Sequence, residues 1–316
     1  MTSTSTVIEP ASVFRYAQKF DIVEGEDGGI IDVPQIGAYR AQNPIPAHVF
    51  EAQRLQALAP DTPSGFIDLD LSPVLGTSYP ATLPLLLCRY LRVRAGESFG
   101  HTLRASGEIY YVIRGQGRSQ SRGKSIAWKT GDVFVFPGGA LSVHQADDDA
   151  LLFLATDEPQ LNYLQVNAPA PQDSPVLAAH FSAARITERL DTIHQKNEPH
   201  MGPGKATTFY TRPMLHTRAM LPMMNVGMNS LEPGGQQRPH QHSAAAITLA
   251  IQNEGVYSRV NGERVDWPEF GVFVTPPDAP HSHHNDGTRE MRAFVIQDGG
   301  LHNYCRTGHF QLIDRP

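Results

Sequence analysis

Five histidines in two groups are the residues of this sequence best suited to chemistry: His240 and His242, then His281, His283 and His284. Side chains two residues apart in a β-strand point to the same face of the sheet. His240 and His242 are therefore predicted to direct two imidazoles at one point inside a sheet. A third imidazole from a neighbouring strand would complete a facial set of three nitrogens around a divalent metal ion. The alternative is a structural or solvated histidine cluster.

The type of ligand does not identify the ion, because neutral imidazoles bind iron, zinc, nickel and copper. Iron(II) held by three histidines keeps positions for a bidentate substrate and for O2. Zinc held in the same way would instead favour hydrolysis through a bound hydroxide.

Strands have to position these histidines, and the sequence is rich in short strand-like segments. From Gly65 onwards, apolar runs of strand length end at Gly or Pro, a pattern typical of β-rich chains. A constant separation of 139 positions relates three pairs of landmarks: His101 and His240, Trp128 and Trp267, and Pro137 and Pro276. We therefore predict a tandem repeat of two jelly rolls or barrels, over residues 64–160 and 208–316.

Two further segments are predicted outside these barrels. Residues 1–63 form an N-terminal arm, in which SVFRYAQKF and PAHVFEAQRLQAL have helix-like apolar spacing and Pro46 stands where a helix could begin. Residues 161–207 form a connector with one helix, within AAHFSAARITERLDTIH. The fold class expected is all-β, with a partly helical arm.

Composition excludes several classes of protein. The formal charge of −6 and the pI near 6.1 argue against a nucleic-acid binder. No apolar run approaches the 18 residues or so of a membrane span, and the N-terminus lacks the pattern of a signal peptide. Two cysteines are too few for a disulfide framework, so a cytoplasmic location is expected.

The second predicted barrel, residues 208–316, resembles the cupin superfamily, whose two motifs are G-x5-H-x-H-x3,4-E-x6-G and P-x-G-x2-H-x3-N. Residues of this chain fill the motif positions as follows: Gly234, His240, His242 and Gly255 in the first, and Pro276, His281 and Asn285 in the second. Asp278 stands where the second motif has Gly. With the repeat, the resemblance implies a bicupin, that is, two double-stranded β-helix jelly-roll barrels.

A narrower resemblance is to the gentisate, salicylate and 1-hydroxy-2-naphthoate dioxygenases, which lack the motif glutamate and bind iron through three histidines. The matching stretches here are VNGERV and TPPDAPHSHHND, and no carboxylate occurs at residues 246–248. The resemblance implies that His240, His242 and His281 bind Fe(II), with Zn, Ni or Mn as alternatives, and that His283 is the catalytic residue that contacts substrate. It further implies a small aromatic acid and O2 as substrates, and a homodimer or homotetramer.

Two features depart from that group. Its metal-binding barrel is the first of the pair, whereas here it is the second. An arginine that holds the substrate carboxylate usually stands near Thr248, and this chain has none there. Arg259, Arg289 and Arg292 are the candidates to replace it.

The chemistry expected is ring cleavage, in which the substrate chelates the metal and His283 orients or deprotonates its hydroxyl. Two alternatives stay open: a metal-dependent hydrolase, isomerase or decarboxylase, and a non-catalytic barrel pair that senses a ligand.

The first barrel is expected to be degenerate, because Leu103 occupies the position of the second histidine. His101, Glu108 and His144 are nevertheless a possible triad of two histidines and one carboxylate.

Expectations for the remaining polar and aromatic residues near the second site are mainly structural. Asn285 should brace its turn and Gln241 should point away from the interior. Asp298 and His302 are candidates to orient a ligand imidazole. His284 should lie at the surface, and Tyr257 and Trp267 should pack in the barrel.

Overall fold

Short antiparallel strands dominate the computed structural model of the chain, which describes residues 44–170, 172–196 and 204–313 and two strands nearer the N-terminus. Those two strands, β1 (Asp21–Glu24) and β2 (Ile30–Val33), pair with each other within a unit that spans Met1–Pro44. The helix predicted in SVFRYAQKF lies outside the described residues. Everything below concerns the second unit, Ile45–Pro316.

The N-terminal segment of this unit contains strand β3 (His48–Val49) and helix α1 (Glu51–Leu58). The predicted helix therefore begins at Glu51 and not at Pro46, because residues 48 and 49 add a strand to the sheet of the second barrel. Helix α1 packs on the first barrel, where Arg92 donates a hydrogen bond of 3.0 Å to the Ala57 carbonyl near the end of the helix. The segment thus contacts both barrels.

The first barrel consists of two antiparallel sheets. Its strands are β4 (Gly65–Asp68), β5 (Leu87–Val93), β6 (Ser98–Thr102), β7 (Gly107–Arg114), β8 (Gln116–Ser121), β9 (Lys124–Lys129), β10 (Val133–Pro137), β11 (Leu141–Ala146), β12 (Ala150–Thr156) and β13 (Ala179–Phe181). Among the described residues the strand orders are β13-β10-β7-β12-β5-β4 and β6-β11-β8-β9. Two short helices interrupt this order: α2 (Ser72–Leu75) lies between β4 and β5, and α3 (Glu158–Tyr163) lies between β12 and β13.

The predicted connector helix is α4 (Ala183–Gln195), which begins after Ser182, whose hydroxyl accepts a hydrogen bond from the Arg185 backbone N–H. The connector also supplies β13 to the first barrel and β14 (Lys205–Phe209) to the second, which the sequence pattern did not predict.

The second barrel repeats the arrangement of two sheets. Its further strands are β15 (Asn225–Leu231), β16 (His240–His242), β17 (Ala246–Gln252), β18 (Val256–Val260), β19 (Glu263–Asp266), β20 (Val272–Thr275), β21 (His281–Asn285), β22 (Met291–Gln297) and β23 (Phe310–Leu312). The strand orders in the described part are β14-β15-β22-β17-β20-β3 and β19-β18-β21-β16-β23. A 3-10 turn (Arg212–Met214) precedes β15, and helix α5 (Gly300–Cys305) precedes β23. The predicted all-β tandem architecture is confirmed.

The two six-stranded sheets pack against each other through an apolar layer drawn from both barrels. The Phe294 ring lies at its centre, with its centroid 5.2 Å from that of Tyr111 and 6.3 Å from that of Phe153. Strand β12 is buried at all of its positions, because one face lines the barrel interior and the other covers this layer.

The interiors of the two barrels differ in the size of their side chains. Tyr110, Phe134 and Phe136 are fully buried inside the first barrel and fill it with aromatic rings. The second barrel has small residues in its interior cluster, among them Ala246 and Ala250. This difference in volume leaves space for a cavity in the second barrel.

Among the described residues no helix is both long and apolar enough to cross a membrane. Cys88 is buried and Cys305 is exposed, and both are free thiols.

Candidate metal centre

Three of the five histidines come together at one end of the second barrel. His240 and His242 lie two residues apart on β16, and His281, the first residue of β21, pairs directly with His240 across the sheet. One ring nitrogen from each of the three lies within 4.8 Å of the other two. The local sequence thus supplies two side chains by strand parity, and antiparallel pairing supplies the third.

Hydrogen bonds orient each of these imidazoles in the same way. The Nδ1 atoms lie 2.9, 2.7 and 2.9 Å from the carbonyl oxygens of Arg238, Ala244 and Ala279, each two residues away from its histidine. Because a carbonyl can only accept, each Nδ1 carries the proton and donates it. Each Nε2 is therefore left with a free lone pair, which is the form that binds a metal.

Burial keeps these rings neutral. Desolvation is the main cause that lowers the pKa of His240 to about 4 and of His281 to about 3, and it also lowers the pKa of His242. Neutral imidazoles are available as ligands without first losing a proton.

The residues fit a divalent transition metal. The group contains three nitrogen donors and no carboxylate, which is a donor set that iron, zinc, nickel and copper accept. The three ring nitrogens lie within 4.8 Å of one another, which is close enough for one ion to be shared by all three.

The turn of the second cupin motif supports this arrangement. Asp278, which stands at the usual Gly position, has a left-handed backbone (φ 56°), a conformation that Asp tolerates. Its N–H donates to the His242 carbonyl at 2.8 Å, so the turn that precedes His281 is tied to the strand that carries His242.

A cavity of about 490 Å³ opens beside the three histidines, within the range of small-molecule sites. Ala246, Thr248 and Thr275 line it, so the positions expected to lack a glutamate hold only small side chains. Ile247 is fully buried in the core between the barrels. The side-chain amide of Gln297 also lines the cavity, and its Nε2 lies 3.3 Å from the unprotonated Nε2 of His242, to which it can donate a hydrogen bond.

The arginine at this cavity is one that the sequence pattern missed. Arg218 lines the cavity with an exposed side chain, whereas the three expected candidates do not. Arg259 donates to the Gly262 carbonyl, and Arg292 binds Glu290 and the connector helix. Arg218 lies in the irregular segment before β15, which has no periodicity from which its direction could be predicted.

His283 and His284 separate to opposite faces of β21. His283 lines the cavity and is 6% exposed, with its Nδ1 2.7 Å from the Ser258 hydroxyl. Burial holds its pKa well below the usual value, with the neighbouring histidines as a lesser cause. The His284 ring instead stacks on Tyr257, with centroids 4.7 Å apart, and is half-buried outside the cavity.

The other polar residues near the histidines make mainly structural contacts. The Asn285 amide donates to the carbonyls of Leu231 and Arg289, so it braces its turn. Gln241 bonds Gln311 away from the cavity. Asp298 accepts from the Ala245 backbone N–H and not from a ligand imidazole, and burial raises its pKa to about 6. Backbone carbonyls take the orienting role expected of Asp298 and His302.

His302 lies on helix α5 and lines the cavity. Its Nδ1 is 3.4 Å from the Thr307 hydroxyl.

The first barrel holds a closed polar cluster at the corresponding place. The Tyr110 hydroxyl lies 3.3 Å from His101 Nε2, 2.6 Å from Glu108 Oε2 and 3.2 Å from His144 Nε2. Tyr110 therefore occupies the point between the three residues considered as a triad.

The pairing of strands also corrects the role considered for His144. Ser142 pairs with His101 as His281 pairs with His240, so Ser142 stands at the position of the third histidine. His144 is the counterpart of His283, which explains its longer distance from Pro137 in the sequence.

Part of the second barrel matches a known protein family. Residues 227–297, which include all three clustered histidines, match the cupin domain family. The chain is 41% identical over 86 residues to a 5-aminosalicylate 1,2-dioxygenase of Comamonas sp and 32% identical over 84 residues to a gentisate 1,2-dioxygenase of Ralstonia sp. Each of these two alignments covers 27% of this chain. The first covers 23% of the 5-aminosalicylate 1,2-dioxygenase and the second covers 24% of the gentisate 1,2-dioxygenase.

Solved structures extend the likeness in fold to both barrels. The salicylate 1,2-dioxygenase of Pseudaminobacter salicylatoxidans aligns with a TM-score of 0.71 at 14% identity, over 84% of this chain and 88% of that chain. A structure of salicylate 1,2-dioxygenase described as an adduct with gentisate aligns with a TM-score of 0.70 at 15% identity, over 90% of this chain and 91% of that chain. The chain therefore has the fold of these dioxygenases.

Proposed function

We propose that this protein is a non-haem iron(II) dioxygenase that cleaves the ring of a hydroxylated aromatic acid, or a close analogue, and inserts both atoms of O2. The observation that carries the proposal is the set of three neutral imidazoles, each with an unprotonated Nε2, beside a cavity of about 490 Å³. The names of the relatives, which act on aminosalicylate, gentisate and salicylate, support the same substrate class.

The donor set suits a chelating anionic substrate. Three neutral ligands leave the full charge of a divalent ion uncompensated, and a partly buried charge attracts anions strongly. A bound iron(II) ion would supply the electron transfer that allows O2 to react with the ring.

The residues of this chain then bind and orient the substrate. His240, His242 and His281 hold the ion, and the small side chains of Ala246 and Thr248 leave room for an aromatic ring beside it. His283 contacts the chelating oxygen from the cavity wall.

Arg218 is proposed to bind the substrate carboxylate. It lines the cavity and would take the place of the arginine that the related dioxygenases have near Thr248. Its guanidinium can pair with a carboxylate through two hydrogen bonds.

Three finer expectations belong to the same proposal. The protein is expected in the cytoplasm, where its free thiols stay reduced. It is expected to form a homodimer or homotetramer, which light scattering would measure. The metal is expected to be iron and not zinc, nickel or manganese.

The test is turnover under 18O2 with salicylate, gentisate and 5-aminosalicylate. The expected result is a ring-opened product that carries two labelled oxygen atoms, with one O2 consumed per product. His242→Ala should abolish it, and His284→Ala, which removes a neighbouring histidine outside the cavity, should not. Turnover of the panel without O2 would contradict the proposal and favour a hydrolase, isomerase or decarboxylase.

A further inference from the structure

A chain of two hydrogen bonds extends from the cavity wall into the second barrel. The Trp267 indole Nε1 donates to the Ser258 hydroxyl at 2.8 Å, and the Ser258 oxygen lies 2.7 Å from His283 Nδ1. Ser258 is fully buried and pairs directly with His283 across strands β18 and β21. Trp267 is 4% exposed. Strand pairing thus fixes the register of Ser258 and His283, and Trp267 directly follows strand β19.

The first barrel contains the same chain at an identical separation of 139 positions. Trp128 Nε1 donates to the Ser119 hydroxyl at 2.7 Å, and the Ser119 oxygen lies 2.6 Å from His144 Nδ1. This barrel has lost the second and third histidines of the metal group, as Leu103 and Ser142 occupy their places. The hydrogen-bonded chain therefore does not depend on a metal site beside it.

The first barrel also indicates which nitrogen of its histidine carries the proton, because the His144 Nε2 at the end of the hydrogen-bonded chain contacts the Tyr110 hydroxyl. The Tyr110 hydroxyl donates to Glu108 at 2.6 Å, so the Tyr110 oxygen can only accept from His144 Nε2, which lies 3.2 Å away. His144 Nε2 therefore carries a proton and Nδ1 is the acceptor. The Ser119 hydroxyl accepts from the indole and donates to that Nδ1.

The opposite assignment leaves two groups unsatisfied. If His144 Nδ1 donated to Ser119, the Ser119 proton would have no acceptor among its contacts, and the Nε2 lone pair would face the lone pairs of Tyr110. Buried polar groups without partners are costly, so this arrangement is disfavoured.

We propose that Ser258 and Trp267 are positioning residues that hold His283 as its Nε2–H tautomer, with that N–H directed at the cavity. The indole donates to the Ser258 oxygen, and the Ser258 proton is donated to His283 Nδ1. His283 is then the opposite tautomer of His240, His242 and His281, whose Nδ1 atoms donate to carbonyls. The hydrogen bonds of these four cavity histidines thus leave three with an Nε2 that accepts and one with an Nε2 that donates.

The division has a functional consequence. A protonated Nε2 has no lone pair, so His283 neither binds the metal nor removes a proton from the substrate. It donates a hydrogen bond to a substrate oxygen, and this last step rests on the proposed function, whereas the tautomer does not.

The tautomer can be measured without substrate or activity. Long-range 1H–15N correlation spectra of the metal-free protein, labelled with 15N-histidine, distinguish a protonated Nε2 from a protonated Nδ1. The His283 signals are assigned by their loss in His283→Asn. The expected result is protonated Nε2 and unprotonated Nδ1 for His283, as for His144. A protonated Nδ1 at His283 would overturn the proposal.

Ser258→Ala and Ser119→Ala form a matched pair, because each removes the same hydroxyl from the same buried chain. Ser258→Ala should give His283 a mixture of tautomers, and Ser119→Ala should leave His283 unchanged. Ser258→Thr keeps the hydroxyl and should restore the single tautomer, and Trp267→Phe gives a second route if Ser258→Ala fails to fold. An unchanged His283 signal in Ser258→Ala would show that the serine does not set the tautomer.

The functional arm compares kcat/KM for ring cleavage in the same pair. Loss of one oriented hydrogen bond should reduce the value roughly tenfold in Ser258→Ala. Ser119→Ala makes the same local change in the first barrel, away from the cavity, and should therefore retain the value of kcat/KM. Equal losses of kcat/KM in both variants would show that the hydrogen-bonded chain has only a structural role. If no substrate is cleaved at all, the proposed function fails while the spectra still decide the tautomer.

Discussion

Substitution of Arg218 tests how the cavity selects its substrate. Arg218 is exposed and lines the cavity, whereas the other candidate arginines, Arg259, Arg289 and Arg292, do not line it. Arg218→Ala should therefore weaken the binding of substrates that carry a carboxylate. Substrates of the same shape without a carboxylate should be affected far less.

The expected magnitude follows from the position of the side chain. A hydrogen bond to a charged group contributes about 1.5 to 3 kcal/mol. Because Arg218 is exposed to water, its contribution should lie at the lower end of that range, which corresponds to roughly a tenfold loss in kcat/KM. Arg218→Lys keeps the charge but loses the paired geometry, so a smaller loss is expected.

The assay compares kcat/KM for salicylate and salicylamide in three proteins: wild type, Arg218→Ala and Arg259→Ala. Arg259 is the matched control, because it belongs to the same barrel but donates to the Gly262 carbonyl outside the cavity. Only Arg218→Ala should lower the preference for salicylate over salicylamide. Equal losses for both compounds in Arg218→Ala, or the same change in preference in Arg259→Ala, would refute the reasoning.

Three further predictions concern stability, measured by denaturant unfolding. Gly255→Ala should cost about 2 kcal/mol, because Gly255 has a positive φ of 70° and a Cβ there would approach the Gly287 N to 2.7 Å; Gly262→Ala, with φ 85° but open space, should cost less. Asn285→Ala should cost about 2 to 3 kcal/mol, since it leaves two backbone carbonyls without their donor. Burial lowers the pKa of His144 to about 3. Between roughly pH 6.5 and pH 5, the free energy of unfolding of the wild type should therefore fall by about 2 kcal/mol more than that of His144→Gln.

The sign of the pH effect follows from linkage. His144 has a folded pKa below its unfolded value near 6.5, so the unfolded chain binds more protons as the pH falls below that value. Stability is then lost on acidification down to about the folded pKa. Parallel pH profiles of wild type and His144→Gln would contradict this account. A Gly262→Ala protein less stable than Gly255→Ala would contradict the steric argument, and an Asn285→Ala protein as stable as wild type would contradict the bracing role.

Local periodicity accounts for what the sequence could predict. The i, i+2 spacing of His240 and His242 requires only a strand, and the separation of 139 positions places the whole barrel twice. These patterns depend on neighbouring residues and on repetition, so they can be recognised in the sequence without knowledge of the fold. The boundaries chosen for the two barrels, 64–160 and 208–316, remain predictions.

Contacts between distant segments account for what the sequence could not predict. Strands β3, β13 and β14 have no distinctive pattern and form because a barrel sheet offers them an edge. Arg218 reaches the cavity from an irregular segment, and the hydroxyl of Tyr110 fills the first site from a strand that reads as ordinary core. Such placements are set by tertiary packing and not by local propensity.

In the first barrel, residue type and strand register give different roles to His144. The sequence groups His144 with His101 and Glu108 as a possible triad because all three residue types can bind a metal. The strand register instead aligns His144 with His283, and Ser142 with His281. The repeat contained this information in the sequence, since both pairs are also 139 positions apart.

The most direct test of the central claim is the metal content of anaerobically purified protein, compared with two single-histidine variants. We expect about one iron per chain in the wild type, loss of that iron in His281→Ala, and retention in His284→Ala, which removes the histidine stacked on Tyr257. Wild-type protein that binds zinc or nickel but no iron, or iron that remains in His281→Ala, would contradict the account.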